Sequence, residues 1–211
     1  SEDEKAFEIP HNWQWVKLGS LALSSEAGWS PGCEGYPRKG EDWGVLKVSA
    51  VTWGQFKAIE NKALPHNMQP RPQYEVFPGD FLISRANTAE LVARAVVVPE
   101  SVPSKLMMSD KIIRFKFSKK VDSLFINMVN SSHLSRSYYS SVANGTSDSM
   151  RNVSREQIRN LTFALPPLAE QHRIVAKADE ILELCDQLTE SLRQAQHTQV
   201  HLADAVVKNA Q

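Results

Sequence analysis

Cysteine is scarce in this 211-residue chain: Cys33 and Cys185 stand far apart and form no Cys-x-x-Cys pair. That usage excludes a disulfide-built scaffold and fits a reducing compartment, where neither thiol has to be bridged. Long apolar runs are also missing, none approaching the ~20 residues a membrane span needs. The acidic opening Ser1-Glu2-Asp3-Glu4-Lys5 lacks the basic-then-apolar order of a signal peptide. The expected location is cytoplasmic, neither secreted nor membrane-inserted. Charge of one sign is absent too, because 24 basic residues meet 24 acidic ones, so the net charge points to no anionic partner.

The strings that mark common active sites do not occur. There is no Gly-x-Ser-x-Gly, no His-Glu-x-x-His, no Gly-x-x-x-x-Gly-Lys-Ser/Thr, and no Asn/Asp-Pro-Pro-Tyr signature of an amino-methyltransferase. Each places a nucleophile, a metal or a phosphate by local geometry, so hydrolase, zinc-protease and nucleotide-triphosphatase readings lose their support. No catalytic residue is expected. His197 and His201 lie four apart and share one helix face, a spacing able to hold a metal. They fall on the outer side of a heptad with no third ligand nearby in sequence, so a solvated face and no metal are expected.

What is present is uneven. Residues 1–70 carry a net −2, residues 71–160 a net +5, and residues 161–211 a net −3. Residues 10–165 are rich in Pro, Gly and aromatics, with short apolar runs at 80–84, 91–98 and 111–117 that read as strands. In the last, Ile113, Phe115 and Phe117 alternate with Ile112, Arg114 and Lys116, the period of a strand with one buried face and one basic, wet face. Pro78-Gly79 and Asn144-Gly145 predict turns. Leu124, Phe125, Met128 and Val129 predict a helix over about 123–139. Ser154 and Gln157 form a capping-box pair with Val153 and Ile158 placed to staple across it, which predicts a helix at 155–160. A final strand, Leu161 to Leu165, ends at Pro166-Pro167, which cannot donate to a ladder and can open a helix.

From Leu168 to Gln211 there is neither Gly nor Pro, and one long helix is predicted. Ile174, Ile181, Leu188, Ala195 and Leu202 recur every seven residues, interleaved with Ala178, Cys185, Leu192, Gln199 and Val206. This 4-3 stripe is the seam of a coiled coil and calls for a partner helix. At ~1.5 Å per residue the helix is roughly 60 Å long.

Four strings, in order, carry a family resemblance: Gly79-Asp-Phe-Leu-Ile-Ser-Arg-Ala-Asn-Thr88, Ser109-Asp-Lys-Ile-Ile-Arg114, Gly145-Thr-Ser-Asp-Ser-Met-Arg-Asn-Val153 and Leu165-Pro-Pro-Leu-Ala-Glu-Gln-His-Arg-Ile-Val175. With the opening Ile9-Pro-His-Asn-Trp-Gln-Trp-Val-Lys-Leu-Gly19 they resemble one half of a type I restriction-modification specificity subunit across nearly the whole chain. The resemblance implies an α+β target-recognition domain over 1–165, followed by a spacer helix over 166–211 that pairs as an antiparallel coiled coil. A full subunit has two such units, and no internal repeat is visible here. The chain therefore reads as a half-subunit pairing with a copy of itself, or as a fragment of a longer protein. The family further implies modification (methyltransferase) subunits as partners, with a restriction subunit in the same complex. S-adenosylmethionine and ATP belong to those subunits, and no cofactor is expected in this chain.

Duplex recognition needs cations for phosphates and forked or amide side chains for base edges. The basic middle segment offers Arg85 and Asn87 after a strand end, Lys105, Lys111 and Arg114, and Thr146, Ser147, Arg151 and Asn152 beside the Asn144-Gly145 pair. Arg38, Lys39 and Trp29 mark a Gly-rich loop that inserts toward DNA or else packs as an irregular loop. Each single position has the alternative of a solvated surface residue. Trp13, Trp15, Trp43 and Trp53 read as core. The rival reading of the whole is a coiled-coil interaction or scaffold protein without DNA specificity.

Overall fold

The computed structural model describes residues 7–147 and 150–209, with side chains given outside 146–147 and 202–209. The chain forms two compact units, Ser1–Gln171 and His172–Gln211. The first unit opens with β1 (Gln14–Lys17), α1 (Leu18–Leu21), β2 (Ala22–Ala27), β3 (Gly44–Leu46) and β4 (Asn61–Ala63). β5 (Phe81–Ser84), β6 (Ala86–Asn87), β7 (Ala95–Val97), β8 (Leu106–Met107) and β9 (Ile112–Phe117) follow. Then come α2 (Ser123–Ser131), α3 (His133–Val142), β10 (Asn144–Ser147), β11 (Met150–Asn152), α4 (Arg155–Arg159) and β12 (Thr162–Leu165). The last element is α5 (Leu168–Asn209).

The strands make four small sheets, ordered β2-β9-β5-β7, β4-β3-β8, β10-β11-β6 and β1-β12. The four-stranded sheet is antiparallel and carries the core, with Phe81, Leu82, Ile83, Ile112, Ile113 and Phe115 all 1% exposed or less. Leu82, Val96 and Ile112 pack with Leu46, Val76 and Leu106 from the β4-β3-β8 side. Phe81 meets Phe115 and Phe117 edge to face, and α2 lies against β7.

Two-sided covering overturns the expected alternation in β9. Ile112, Ile113, Arg114 and Phe115 are all buried, and only Lys116 and Phe117 reach toward solvent. The expected helix over 123–139 is two helices, broken at Ser132. That residue takes an extended backbone (φ −63°, ψ 155°) and its hydroxyl accepts from the Ser135 N–H as the N-cap of α3. Local capping here outweighs the apolar spacing, and Leu124 is left half-exposed.

The capping box at Ser154 and Gln157 forms as expected, and Val153 and Ile158 are both fully buried. Pro78-Gly79 is a turn, with Gly79 at φ +79° and the Asp80 N–H donating to the Phe77 carbonyl. Asn144-Gly145 is not a turn but part of β10, paired with β11. Gly145 has φ +140°, and a Cβ there would stand 2.4 Å from the Met150 carbonyl oxygen, so glycine is required by close approach inside a ladder.

The globular unit extends past the expected boundary at 165 because Gln171 is buried within it. Its Nε2 donates to the Pro166 carbonyl at 2.9 Å and its Oε1 accepts from the Asp122 N–H at 2.9 Å. Asn12 donates to Glu170 at 3.5 Å. The Glu-Gln of the Leu-Pro-Pro-Leu-x-Glu-Gln string thus anchors the first helical turn. In the second unit, no helix among the described residues is long and apolar enough to cross a membrane.

Candidate nucleic-acid interface

Arg85 is the single residue between β5 and β6, where the four-stranded sheet meets the three-stranded one. Its N–H donates to the Lys111 carbonyl at 2.8 Å, and its carbonyl accepts from the Val153 N–H at 2.8 Å. Beyond it, Asn87 stands opposite Arg151 and Ala86 opposite Asn152 in the β6-β11 register. Directly opposed residues share a face of a ladder. The topology therefore brings the backbones of Arg85, Asn87, Lys111, Arg151 and Asn152 together although they are separated by up to 67 positions in sequence, with Asn87 and Arg151 on one face of the ladder and Asn152, opposite Ala86, on the other.

The Asn87 amide is partly engaged already. Its Nδ2 donates to Thr52 Oγ1 at 3.1 Å and its Oδ1 accepts from the Thr88 N–H at 2.9 Å. One amide hydrogen and one lone pair remain for a base edge. Next to it opens a cavity of about 270 Å³, whose wall includes Thr52, Trp53, Asn87, Leu91, Lys111 and Met150. Trp53 is 57% exposed, so the expectation that it belongs to the core is corrected. It sits at a bend just before Gly54 (φ +79°), past buried Ala50 and Val51. That Thr-Trp-Gly-Gln context was the available signal. Trp13, Trp15 and Trp43 are half-buried.

The segment after Asn87 is clamped from behind. Half-buried Arg136 of α3 donates to the carbonyls of Val92 and Ala93, and Asn130 Nδ2 donates to the Ala93 carbonyl at 2.8 Å. Tyr139, fully buried, donates to Asn130 Oδ1 at 2.9 Å. Burial, with Arg94 nearby, pushes the Arg136 guanidinium down to about 10, and burial raises the Tyr139 phenol above its ordinary range. Ala93 is held at φ +58° by these contacts.

Arg114 leaves the interface. It is 3% exposed and all five of its N–H donors are taken within the fold. They go to Glu26 Oε1 (3.1 and 2.6 Å), Asp80 Oδ2 (2.8 Å) and the carbonyls of Glu75 and Gln73. Burial alone would lower its pKa, but the Asp80 and Glu26 carboxylates reverse this and the net shift is upward. Its place among candidate DNA contacts is corrected: it is a core cation.

The remaining candidates are dispersed. Lys105, at φ +61°, bonds the Glu41 carbonyl at 2.9 Å and pairs with its carboxylate at 3.4 Å. Arg38 donates to the Asp42 carbonyl, and Lys39 lies over the exposed Tyr36 ring. Trp29 packs against Val45, Leu64 and Met107, with the Arg71 guanidinium 4.1 Å over its ring. This is the packed-loop alternative. The side chains of Thr146 and Ser147 lie outside the described residues.

A second cavity, of about 370 Å³, adjoins the first through shared walls at Val48 and Lys111. Lys47, Lys62 and Ser109 line it together with Cys33, whose thiol is raised by burial. Lys47, Lys62 and Ser109 were not singled out as site residues from the sequence, where they are scattered: Lys62 lies in β4, Lys47 just after β3 and Ser109 between β8 and β9.

On α5, Ile174 and Ala178 are half-buried, whereas Ile181, Cys185, Leu188, Leu192, Ala195 and Gln199 are exposed. The side chains of Leu202 and Val206 lie outside the described residues. His197 and His201 face each other, ring nitrogens 3.1 Å apart, on the exposed helix.

The chain thus combines a mixed domain of small sheets with a long helix that carries an exposed apolar stripe. The sequence model of the type I restriction modification DNA specificity domain matches residues 10–196, and the chain belongs to that family. The specificity subunit of the Escherichia coli type I restriction enzyme EcoEI is 41% identical over 212 residues, covering 100% of this chain and 36% of that protein. The corresponding EcoAI subunit, also from Escherichia coli, is 27% identical over 223 residues, covering 100% of this chain and 35% of that protein. The chain thus spans about a third of the length of these relatives. Among solved structures, the HsdS subunit from Thermoanaerobacter tengcongensis superposes with a TM-score of 0.61 at 20% identity, covering 88% of this chain and 41% of that one. A chain from a study of complex assembly in a type I R-M system gives a TM-score of 0.63 at 21% identity, covering 89% and 43%.

Proposed function

We propose that this chain reads one half of a bipartite double-stranded DNA target within a type I restriction-modification complex and recruits its modification subunits. The observation that carries the reading is the junction at Arg85, where Asn87 shares a ladder face with Arg151 and lines one cavity with Lys111 and exposed Trp53. Forked and amide side chains suit base edges, while Lys111 suits a phosphate. The exposed apolar stripe of α5 supports pairing with a second helix of the same kind, which would set the distance between two half-targets.

In this reading the chain is not itself an enzyme. Methylation and cleavage, with S-adenosylmethionine and ATP, belong to partner subunits, and the complex works in the cytoplasm. The test incubates the protein with a randomised duplex pool at moderate salt, with and without the modification subunit, and sequences what is retained. A recovered motif that Arg85→Ala loses supports the reading. Uniform or absent binding in both conditions would make the coiled-coil scaffold the better account.

A further inference from the structure

The larger cavity beside the junction holds a polar atom that the fold leaves unsatisfied. Ser109 is 8% exposed, lines that cavity, and its Oγ has no hydrogen-bond partner among the described residues. Native proteins rarely bury a hydroxyl in this way unless something external pairs with it. The same walls present three ammonium groups. Lys47 is answered by Glu60 at 2.6 Å, but Lys62 and Lys111 are exposed and form no ion pair among the described residues. One carboxylate lines the cavity, that of Asp110, which accepts from Ser30 Oγ at 2.5 Å. A hydroxyl donor surrounded by an excess of lysines selects an anion and repels a metal cation.

We propose that this cavity seats a phosphodiester of the DNA backbone, with Ser109 Oγ donating to a non-bridging oxygen and Lys62 and Lys111 supplying the balancing charge. The proposal rests on the duplex-reading function above. What ties the anion to a nucleic acid is Lys111, which stands on the wall common to this cavity and to the one flanked by Trp53 and Asn87. A strand presenting a base edge to Asn87 thereby carries its phosphate past Lys111. A phosphate contact positions the duplex without reading sequence, so its loss weakens all duplexes alike.

The experiment measures affinity for the duplex recovered from the pool and for a scrambled duplex across a salt range. It uses the full chain as wild type, Lys62→Gln, Ser109→Ala and, as a control on a lysine outside the cavity, Lys119→Gln. Lys62→Gln is expected to weaken both duplexes by the same factor and to flatten the slope of log K against log[salt] by about 0.9. Ser109→Ala weakens both with little change of slope, and Lys119→Gln changes neither. Wild-type binding with an unaltered affinity and slope in Lys62→Gln overturns the seat. A separate titration with inorganic phosphate against chloride at matched ionic strength follows the Ser109 and Asp110 amide resonances. Shifts that vanish in Ser109→Ala are expected, and their absence in the wild type overturns the seat whatever the duplex does. Phosphate shifts without any wild-type duplex affinity overturn the DNA assignment and the function above together, leaving a free-anion site.

Discussion

Arg114 and Arg85 show how two arginines in one basic segment come to opposite environments. Arg114 is enclosed by Asp80, Glu26 and two carbonyls, and Asp80 is itself 7% exposed. Removing the guanidinium strands a buried carboxylate, so Arg114→Ala is expected to lower stability by about 3–5 kcal/mol in urea unfolding. Arg85 is half-buried at a sheet junction, and its guanidinium bonds nothing among the described residues. Arg85→Ala should change stability by no more than about 0.5 kcal/mol while costing about 1–3 kcal/mol in binding to the recovered duplex. Equal losses of stability in the two variants would contradict this division. The net +5 of residues 71–160 consequently overstates the charge facing outward. Thiol reactivity gives a further contrast: Cys185 is exposed, whereas Cys33 is partly buried with its thiol raised by burial. Iodoacetamide at mildly alkaline pH should label Cys185 first, and the pairing of α5 should slow that labelling.

Among the elements, the β10-β11 ladder depends on one glycine. Gly145→Ala forces a Cβ against the Met150 carbonyl at a backbone angle that L residues avoid. The expected result is loss of duplex affinity greater than that of Arg151→Lys, with thermal unfolding of the core sheet little changed. The capping box at α4 is a cleaner test of stability, since Ser154→Ala should cost about 0.5–2 kcal/mol. Both the box and the long helix were legible in the sequence because caps and heptads are local signals. The strand at 111–117 was legible as a strand but not in its facing, since whether a sheet is covered on one side or two depends on elements far away. The break at Ser132 was hidden under a continuous apolar spacing. Of the interface, Arg85, Asn87, Lys111, Arg151 and Asn152 were nameable as residue types. Their proximity was not, because it arises from the β6-β11 pairing and from the backbone bond between Arg85 and Lys111. Trp53 was missed for the reverse reason, its size suggesting burial while its bend placed it outside.

At the scale of the whole molecule, the chain divides at a point set by Gln171 rather than by the prolines. A protein ending after Gln171 keeps the bonds to Asp122 and Pro166, so its unfolding should resemble that of the same domain in the full chain. One ending after Leu165 leaves those buried groups unpaired and should unfold with about 1–3 kcal/mol less stability. Neither should self-associate, and Leu188→Asp in the full chain should abolish pairing in sedimentation while leaving the globular unit's unfolding unchanged. The two units thus answer to separate mutations.

On the proposed reading, stability and recognition are divided in a similar way inside the globular unit. The described side chains of β10 and β11 contribute nothing to the apolar interior, which belongs to the four-stranded sheet. Substitutions at Met150, Arg151 and Asn152 therefore escape most of the penalty that attends change elsewhere in the domain. If β11 reads DNA as proposed, a lineage carrying this protein can drift at those positions through generations of folded ancestors, and acquire a new target one side chain at a time.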